Sequence, residues 1–301
     1  MIKVGFLVSY DFKYLYKSIP LVYNGSDLIV LAVDKDRLTW SGNPLFIDPA
    51  FFEWVKKFDT LNKIIIYEDS FYIPENSPAE NDTRERNLLA KAMGDGGWHI
   101  QIDSDEYFND FKNFTDFLKE RNRFLINPKT KPVEIHVQWI TLFKKVEGGF
   151  LYIKDSFDAI EIATNYPKYK YMRATRHSKK IITKFILLHQ SWARDEDEIY
   201  TKITNWSHRD DSDNVAFYEF WKNINLNNYT EFTNFHENDP TKWKSLGFIS
   251  ENEIDSLKID ISSFQLFKLR SKKYLVQFIR EKLPVTLQDK IKFAFKKLTK
   301  W

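Results

Sequence analysis

The sequence predicts an α/β fold with a mixed, mostly parallel central sheet flanked by helices. Apolar runs rich in branched side chains alternate with helical patterns over the first hundred residues. Hydrophobic residues make up 43% and charged residues 29% of the 301 residues, so a large core is available. The absence of cysteine excludes a disulfide scaffold, a thiolate zinc site and a cysteine nucleophile.

Four apolar runs in the first half are predicted strands, and polar residues follow each of them. They cover residues 3–10, 27–33, 63–67 and 98–102. Ligands of parallel sheets bind beyond the carboxyl ends of the strands. We therefore expect Ser9, Tyr10, Asp34 and Asp103 at one edge of the sheet.

Helices are predicted between these strands. One covers residues 48–58, and a second precedes the fourth strand. Asp82 and Glu85 have the spacing of a capping box at the start of this second helix, and Gly94 ends its apolar pattern.

The second half is predicted to mix helices and strands. Residues 111–121 and 196–206 have helical patterns, and residues 133–143 and 149–154 are predicted to form a hairpin. A further strand over 184–188 ends at His189. The N-terminus is expected to be a strand and not a signal peptide, and no apolar run has the length of a membrane span.

Positive charge is concentrated at the C-terminus. Residues 270–301 contain ten Lys or Arg against two acidic residues, a net charge of +8, whereas the chain as a whole carries +3 and the preceding 269 residues carry −5. The acidic body argues against nucleic-acid binding. Pro284 separates two basic amphipathic helices predicted over 272–283 and 285–301, which are typical of contact with an anionic membrane surface. The alternative is a helix docked on the body with its lysines in water.

An Asp-x-Asp-Glu turn carries the clearest chemical signal. The fourth strand runs directly into Asp103-Ser104-Asp105-Glu106, and two carboxylates in this arrangement can present oxygens to a hard divalent cation. Asp-x-Asp occurs four times, but only the pairs at 34/36 and 103/105 follow a strand. Phe108 occupies the position where an EF-hand loop needs Gly, so this is not a calcium loop. The alternative is an acidic turn that caps the next helix.

Residues 1–110 resemble glycosyltransferases of the GT-A (Rossmann-like) fold, especially family-2-like enzymes of bacterial surface-polysaccharide synthesis. The similarity rests on the helix segment Thr83-Arg84-Glu85-Arg86-Asn87, the strand that begins at Trp98, and the Asp-x-Asp-Glu turn. It implies a nucleotide-sugar donor, with a UDP-sugar expected first, and Mn²⁺ or Mg²⁺ bound by Asp103 and Asp105.

The resemblance also implies roles for residues around this turn. Asp34 matches the acidic position near the base or ribose, and Ser9 and Tyr10 match nucleotide contacts of the first loop. The loop after the second strand departs from the usual Asp-rich pattern and reads Asp34-Lys35-Asp36-Arg37, so the base that is recognised stays open.

A weaker motif follows the predicted strand at 184–188 and runs from His189 to Arg194. In GT-A enzymes a downstream His often completes the metal shell, which makes His189 the first candidate and His208 the second. Arg84, Arg86 and Arg194 are candidates for pairing with phosphate oxygens. The alternatives are a satisfied core His and a helix-surface ion pair between Arg194 and Glu198.

An inverting transferase also needs a carboxylate that accepts the proton of the acceptor hydroxyl. Asp195, Asp197 and Glu198 are the candidates, together with Asp155. The alternative is a solvated helix N-terminus, which such acidic residues stabilise.

Tryptophan faces are candidate sugar-binding surfaces. Trp192 is a candidate to stack on a sugar ring, whereas Trp139 is expected in the core.

Together with these patterns, the resemblance implies a metal-dependent glycosyltransferase that acts on a saccharide or lipid-linked acceptor at the cytoplasmic face of a bacterial membrane. Residues 1–110 would bind the nucleotide-sugar and 111–269 the acceptor, with 270–301 as a basic tail. One alternative is a haloacid-dehalogenase-like phosphatase that uses Asp34 and Asp36. Another is a non-catalytic carbohydrate-binding protein at the membrane surface.

Overall fold

A computed structural model describes residues 1–154, 158–175, 178–205, 214–236, 242–257, 265–271 and 274–275. Within these residues the chain forms twelve strands and six α-helices. The strands are β1 (Ile2–Val8), β2 (Leu28–Asp34), β3 (Ile64–Asp69), β4 (Trp98–Asp103), β5 (Glu106–Tyr107), β6 (Val133–Val146), β7 (Gly149–Ile153), β8 (Asp158–Thr164), β9 (Tyr169–Tyr171), β10 (Ala174–Thr175), β11 (Lys179–His189) and β12 (Leu246–Ser250). The helices are α1 (Leu15–Tyr23), α2 (Pro49–Phe58), α3 (Pro78–Ala92), α4 (Phe111–Lys119), α5 (Glu196–Asn205) and α6 (Asn214–Asn223).

Ten strands form one sheet that runs through both halves of the chain. Its centre, in the order β3-β2-β1-β4, is parallel throughout. The sheet continues through antiparallel β8, β6, β7 and β12, and β11 runs parallel to β6. The predicted α/β class with a parallel centre flanked by helices is confirmed.

Helices cover both faces of the parallel centre. Ile2, Val4 and Phe6 of β1 join one apolar cluster with residues of α1, α2 and α4. On the opposite face, α3 packs so closely that a Cβ on Gly5 would lie 2.8 Å from Cδ2 of Leu89. Burial on both faces explains why β1, β2 and β4 are continuous apolar runs.

The predicted start of α3 was wrong. The capping box is formed by Ser77 and Glu80: the Ser77 side chain accepts from the Glu80 amide, and a Glu80 carboxylate oxygen accepts from the Ser77 amide at 2.8 Å. Pro78 at the first helical position supports this start, because its ring presets a helical φ. Asp82 and Glu85 are buried one turn inside the helix.

The predicted hairpin is confirmed as β6 and β7, and Gly148 has φ +74° at its turn. Strands β8, β9 and β12 and helices α1 and α6 were not predicted. Helix α1 contains Pro20, a residue that argues against a helix interior in sequence.

None of the described helices is both long and apolar enough to cross a bilayer. The two predicted basic helices lie outside the described residues except for residues 274–275 of the first. Two residues of the basic tail contact β11: Arg270 donates to the Ile182 carbonyl at 3.1 Å, and the Tyr274 hydroxyl donates to the Lys180 carbonyl at 3.0 Å.

Candidate functional site

A cleft of about 390 Å³ lies where β1, β2 and β4 end. Ser9, Tyr10, Asp34, Asp103 and Asp105 all line it, as the sequence predicted. They meet because three adjacent parallel strands bring their carboxyl ends to one edge of the sheet.

Asp103, the last residue of β4, is paired with two arginines. Its Oδ1 accepts from Arg86 at 2.7 Å, and Arg173 lies 3.8 Å from its Oδ2. Arg86 also donates to Asp82 at 2.6 Å within α3. Burial opposes ionisation of Asp103, but the two guanidinium groups outweigh it and keep the pKa of Asp103 below its ordinary value.

Asp105 is buried and surrounded by basic groups. Its Oδ2 accepts from Arg194, with His189 Nε2 at 3.4 Å and Lys202 Nζ at 3.5 Å. Arg194 also donates to Asp11 at 3.0 Å. Burial alone would raise the pKa of Asp105, but the nearby His189, Lys202 and Arg194 hold it well below the usual range.

Glu106 stabilises the Asp-x-Asp-Glu turn from inside the protein. Its fully buried carboxylate receives two hydrogen bonds from Arg173, at 2.6 and 2.8 Å, one from Trp139 Nε1 at 3.0 Å and one from the Asp103 amide at 2.9 Å. Sequence reasoning missed Arg173 because nothing in residues 165–175 signals that this segment returns to β4.

The stack between Trp139 and His189 forms part of the cleft wall. Their rings lie 4.4 Å apart and 11° from parallel, and both residues line the cleft. Trp139 therefore faces the site and is not confined to the core as expected.

The predicted basic residues divide into three groups. Arg86 lines the cleft, and Arg194 is buried behind Asp105. Arg84 points elsewhere and donates to the Ser70 and Phe71 carbonyls at 2.5 and 3.3 Å.

Trp192, the predicted sugar-stacking residue, lies in an apolar cluster. It is 2% exposed and packs edge-on against Phe217 at 4.8 Å. The structure thus does not bring Trp192 to the cleft.

The predicted bases also lie away from the cleft walls. Asp195 and Asp197 are exposed, and Glu198 pairs with Lys13 at 2.7 Å and accepts from the Tyr14 hydroxyl at 3.1 Å. This is the helix-terminus arrangement given above as the alternative. Asp155 and His208 lie outside the described residues.

Asp34 holds the β2 turn through backbone hydrogen bonds. Its Oδ1 accepts from the amides of Asp36 and Leu38, and its Oδ2 from the Phe71 amide at 2.8 Å. A carboxylate with both oxygens engaged is poorly placed as a phosphatase nucleophile.

Asp103, Asp105 and His189 are the predicted ligands of a divalent cation, and all three line the cleft. Asp103 is engaged by Arg86 and Arg173, and Oδ2 of Asp105 by Arg194 and Lys202, so a cation would have to share or displace these partners. The pair Asp105 and His189 offers two ligands to such a cation. A carboxylate oxygen and an imidazole nitrogen meet at the cleft, and both are accepted by Mn²⁺. No three His, Asp or Glu side chains in the described part of the chain converge into a complete cation site. Such ions commonly take one or two protein ligands and complete their shell with substrate phosphates and water. The pair therefore fits a cation shared with a diphosphate, and the metal requirement stays a prediction.

Comparisons with known proteins identify no family. No family model matches the sequence, and no curated protein matches it. Among solved structures, the crystal structure of S. aureus TarS 1-349 is similar with a TM-score of 0.29 and 16% identity. The match covers 49% of this chain and 36% of that chain, so it is too partial to define fold or function.

Proposed function

We propose that the chain is a glycosyltransferase that moves a sugar from a nucleotide-sugar donor to a saccharide or lipid-linked acceptor. One observation carries the proposal: the carboxylates of the Asp-x-Asp turn share one cleft with Ser9, Tyr10 and Asp34. These are the positions that the resemblance assigned to the donor, and three different strands supply them.

The basic groups that line the cleft support the proposal. Arg86, Arg173 and Lys202 line it and supply positive charge. Mn²⁺ or Mg²⁺ at Asp105 and His189 would neutralise further charge on the departing diphosphate. Preorganised cations stabilise the charge that develops on the leaving group, which lowers the barrier to transfer.

Calorimetric titration of UDP with and without Mn²⁺ tests the donor site. We expect metal-dependent binding that Asp105→Asn weakens at least tenfold, whereas the exposed Asp255→Asn leaves it unchanged. Thermal unfolding of both variants checks that the fold is kept. If UDP does not bind, GDP, CDP and dTDP follow. Failure of all four with metal present would overturn the proposal and favour a carbohydrate-binding protein without donor turnover.

We also propose that the basic residues 270–301 bring the enzyme to the anionic cytoplasmic face of the membrane. This proposal rests on the +8 net charge of that segment. It suits a lipid-linked acceptor, which would be presented at the same surface.

A further inference from the structure

The carboxylates that line the cleft differ in what already binds them. Six are engaged within the protein by Arg, Lys, Trp or backbone donors: Asp11, Asp34, Asp82, Glu85, Asp103 and Asp105. The lone pairs of such a carboxylate are already taken up by donors of the protein, so fewer are left for the proton of an acceptor hydroxyl. Glu85, whose pKa burial raises to about 8, would in addition carry its own proton at neutral pH. The seventh cleft carboxylate, Glu161, is different.

Glu161 lies in β8 and is only partly exposed. Among the described residues, the one basic group within 4.0 Å of its carboxylate is the imidazole of His136, whose Nδ1 lies 3.6 Å from Oε2. The two residues are direct cross-strand partners in the β6–β8 ladder. Glu161 thus faces the cleft on one side and a buried imidazole on the other.

Glu134 lies on the other side of that imidazole. His136 is fully buried, and its Nε2 lies 3.3 Å from Oε2 of Glu134. Burial would raise the pKa of Glu134, but His136, Lys180 and Thr175 outweigh it and keep that pKa below the ordinary value. His136 therefore lies between two carboxylates, with Glu134 on its Nε2 side and Glu161 on its Nδ1 side.

Nδ1 of His136 is itself a buried nitrogen without a hydrogen-bond partner among the described residues. Buried polar atoms are rarely left in this state. Protonation of Glu161 would supply a donor to this nitrogen.

We propose that Glu161 is the general base that accepts the proton of the attacking acceptor hydroxyl, with His136 as its positioning residue. The inference rests on the proposed function and deepens it. The hydroxyl oxygen forms a bond to the anomeric carbon, and its proton passes to Glu161. The bond from the anomeric carbon to the phosphate oxygen breaks, and its electron pair leaves with the nucleoside diphosphate.

Nucleotide release from the donor, with water and a panel of simple saccharides as acceptors, tests the assignment beside nucleotide binding. We expect Glu161→Gln to bind the nucleotide as tightly as wild type and to release it 10²- to 10⁴-fold more slowly. Glu161→Asp keeps the carboxylate and should retain part of the activity. Glu147→Gln, an exposed residue of the β6–β7 turn, is the matched control and should behave as wild type.

The pH profile separates positioning from a merely structural role. His136→Gln should shift the acidic limb of the rate profile, because it changes the group that faces Glu161, while nucleotide binding stays unchanged. The groups packed against the carboxylate that also set this limb are Arg173 and, through His136, Glu134 and Lys180.

Two results would overturn the inference without touching the proposed function. In the first, Glu161→Gln turns over like wild type. In the second, Glu161→Gln loses nucleotide binding together with nucleotide release, which would make Glu161 a binding or structural residue and not a base. Failure of every nucleotide to bind would instead defeat the proposed function itself.

Discussion

The buried pair of Glu106 and Arg173 should hold the Asp-x-Asp-Glu turn in place. Glu106 is fully buried and receives four hydrogen bonds, two of them from Arg173. Glu106→Gln keeps the shape but removes the negative charge, and it leaves a guanidinium that is 6% exposed without its main partner. Breaking a buried pair from one side costs ~3 to 5 kcal/mol. We expect Glu106→Gln to lower the free energy of unfolding by ~3 kcal/mol, the lower end of this range, because the Arg173 guanidinium still has the Asp103 carboxylate 3.8 Å away.

Urea denaturation of wild type and variant measures this cost. The exposed pair of Lys112 and Asp116 provides the control, and Asp116→Asn should leave the free energy of unfolding nearly unchanged. The double variant Glu106→Gln with Arg173→Met should lose less free energy of unfolding than the sum of the two single variants, because no unpaired buried charge is then left. A loss below ~1 kcal/mol for Glu106→Gln would refute the reasoning.

Three further predictions follow from burial and charge. Burial is the main cause that raises the pKa of Glu85 to about 8. The protonated Glu85 of the folded protein contributes stability that is fully present below the unfolded pKa near 4 and is lost as the pH rises through 8. At pH 9, Glu85→Gln should therefore be more stable than wild type by ~3 kcal/mol, as measured by thermal or urea unfolding. Trp192→Ala should cost ~3 to 5 kcal/mol of folding free energy and leave nucleotide binding intact, which calorimetry checks. Changing Lys290, Lys296 and Lys297 to Glu should abolish co-sedimentation with phosphatidylserine vesicles at physiological salt, and equal binding by the parent and changed proteins would exclude the tail as the anchor.

The parallel half of the fold could be predicted because its strands carry an unambiguous signal. Residues of β1, β2 and β4 are buried on both faces, so their sequences are continuous apolar runs. By contrast, β8 begins with Asp158 and includes Glu161 on a partly polar face, which leaves no clear alternation to detect. The start of α3 was misplaced because Asp82 and Glu85 repeat, one turn later in the helix, the spacing of the true capping box.

The site was predictable only as far as its residues follow strands. Asp103 and Asp105 were found because the turn comes directly after β4. Arg173 and Glu161 were not found, because cross-strand register and the return of the 165–175 segment depend on tertiary packing. A general base was predicted among Asp195, Asp197 and Glu198 at the start of α5, although acidic residues in this pattern fit a helix N-terminus equally well.

The short pairing of β5 with β11 has a consequence for how ligands enter. His189 is the register partner of Glu106, and the Gln190 amide donates to the Asp105 carbonyl at 2.8 Å. The two halves of the chain are thus joined by backbone hydrogen bonds beside the Asp-x-Asp turn at the floor of the cleft, and opening the cleft there would break them. Access therefore falls to the rim segments 35–47 and 165–173, which carry Trp40 and Tyr171. Exchanging residues of these segments other than Arg173 should change which ligands enter the cleft while the backbone pairing at its floor stays unchanged.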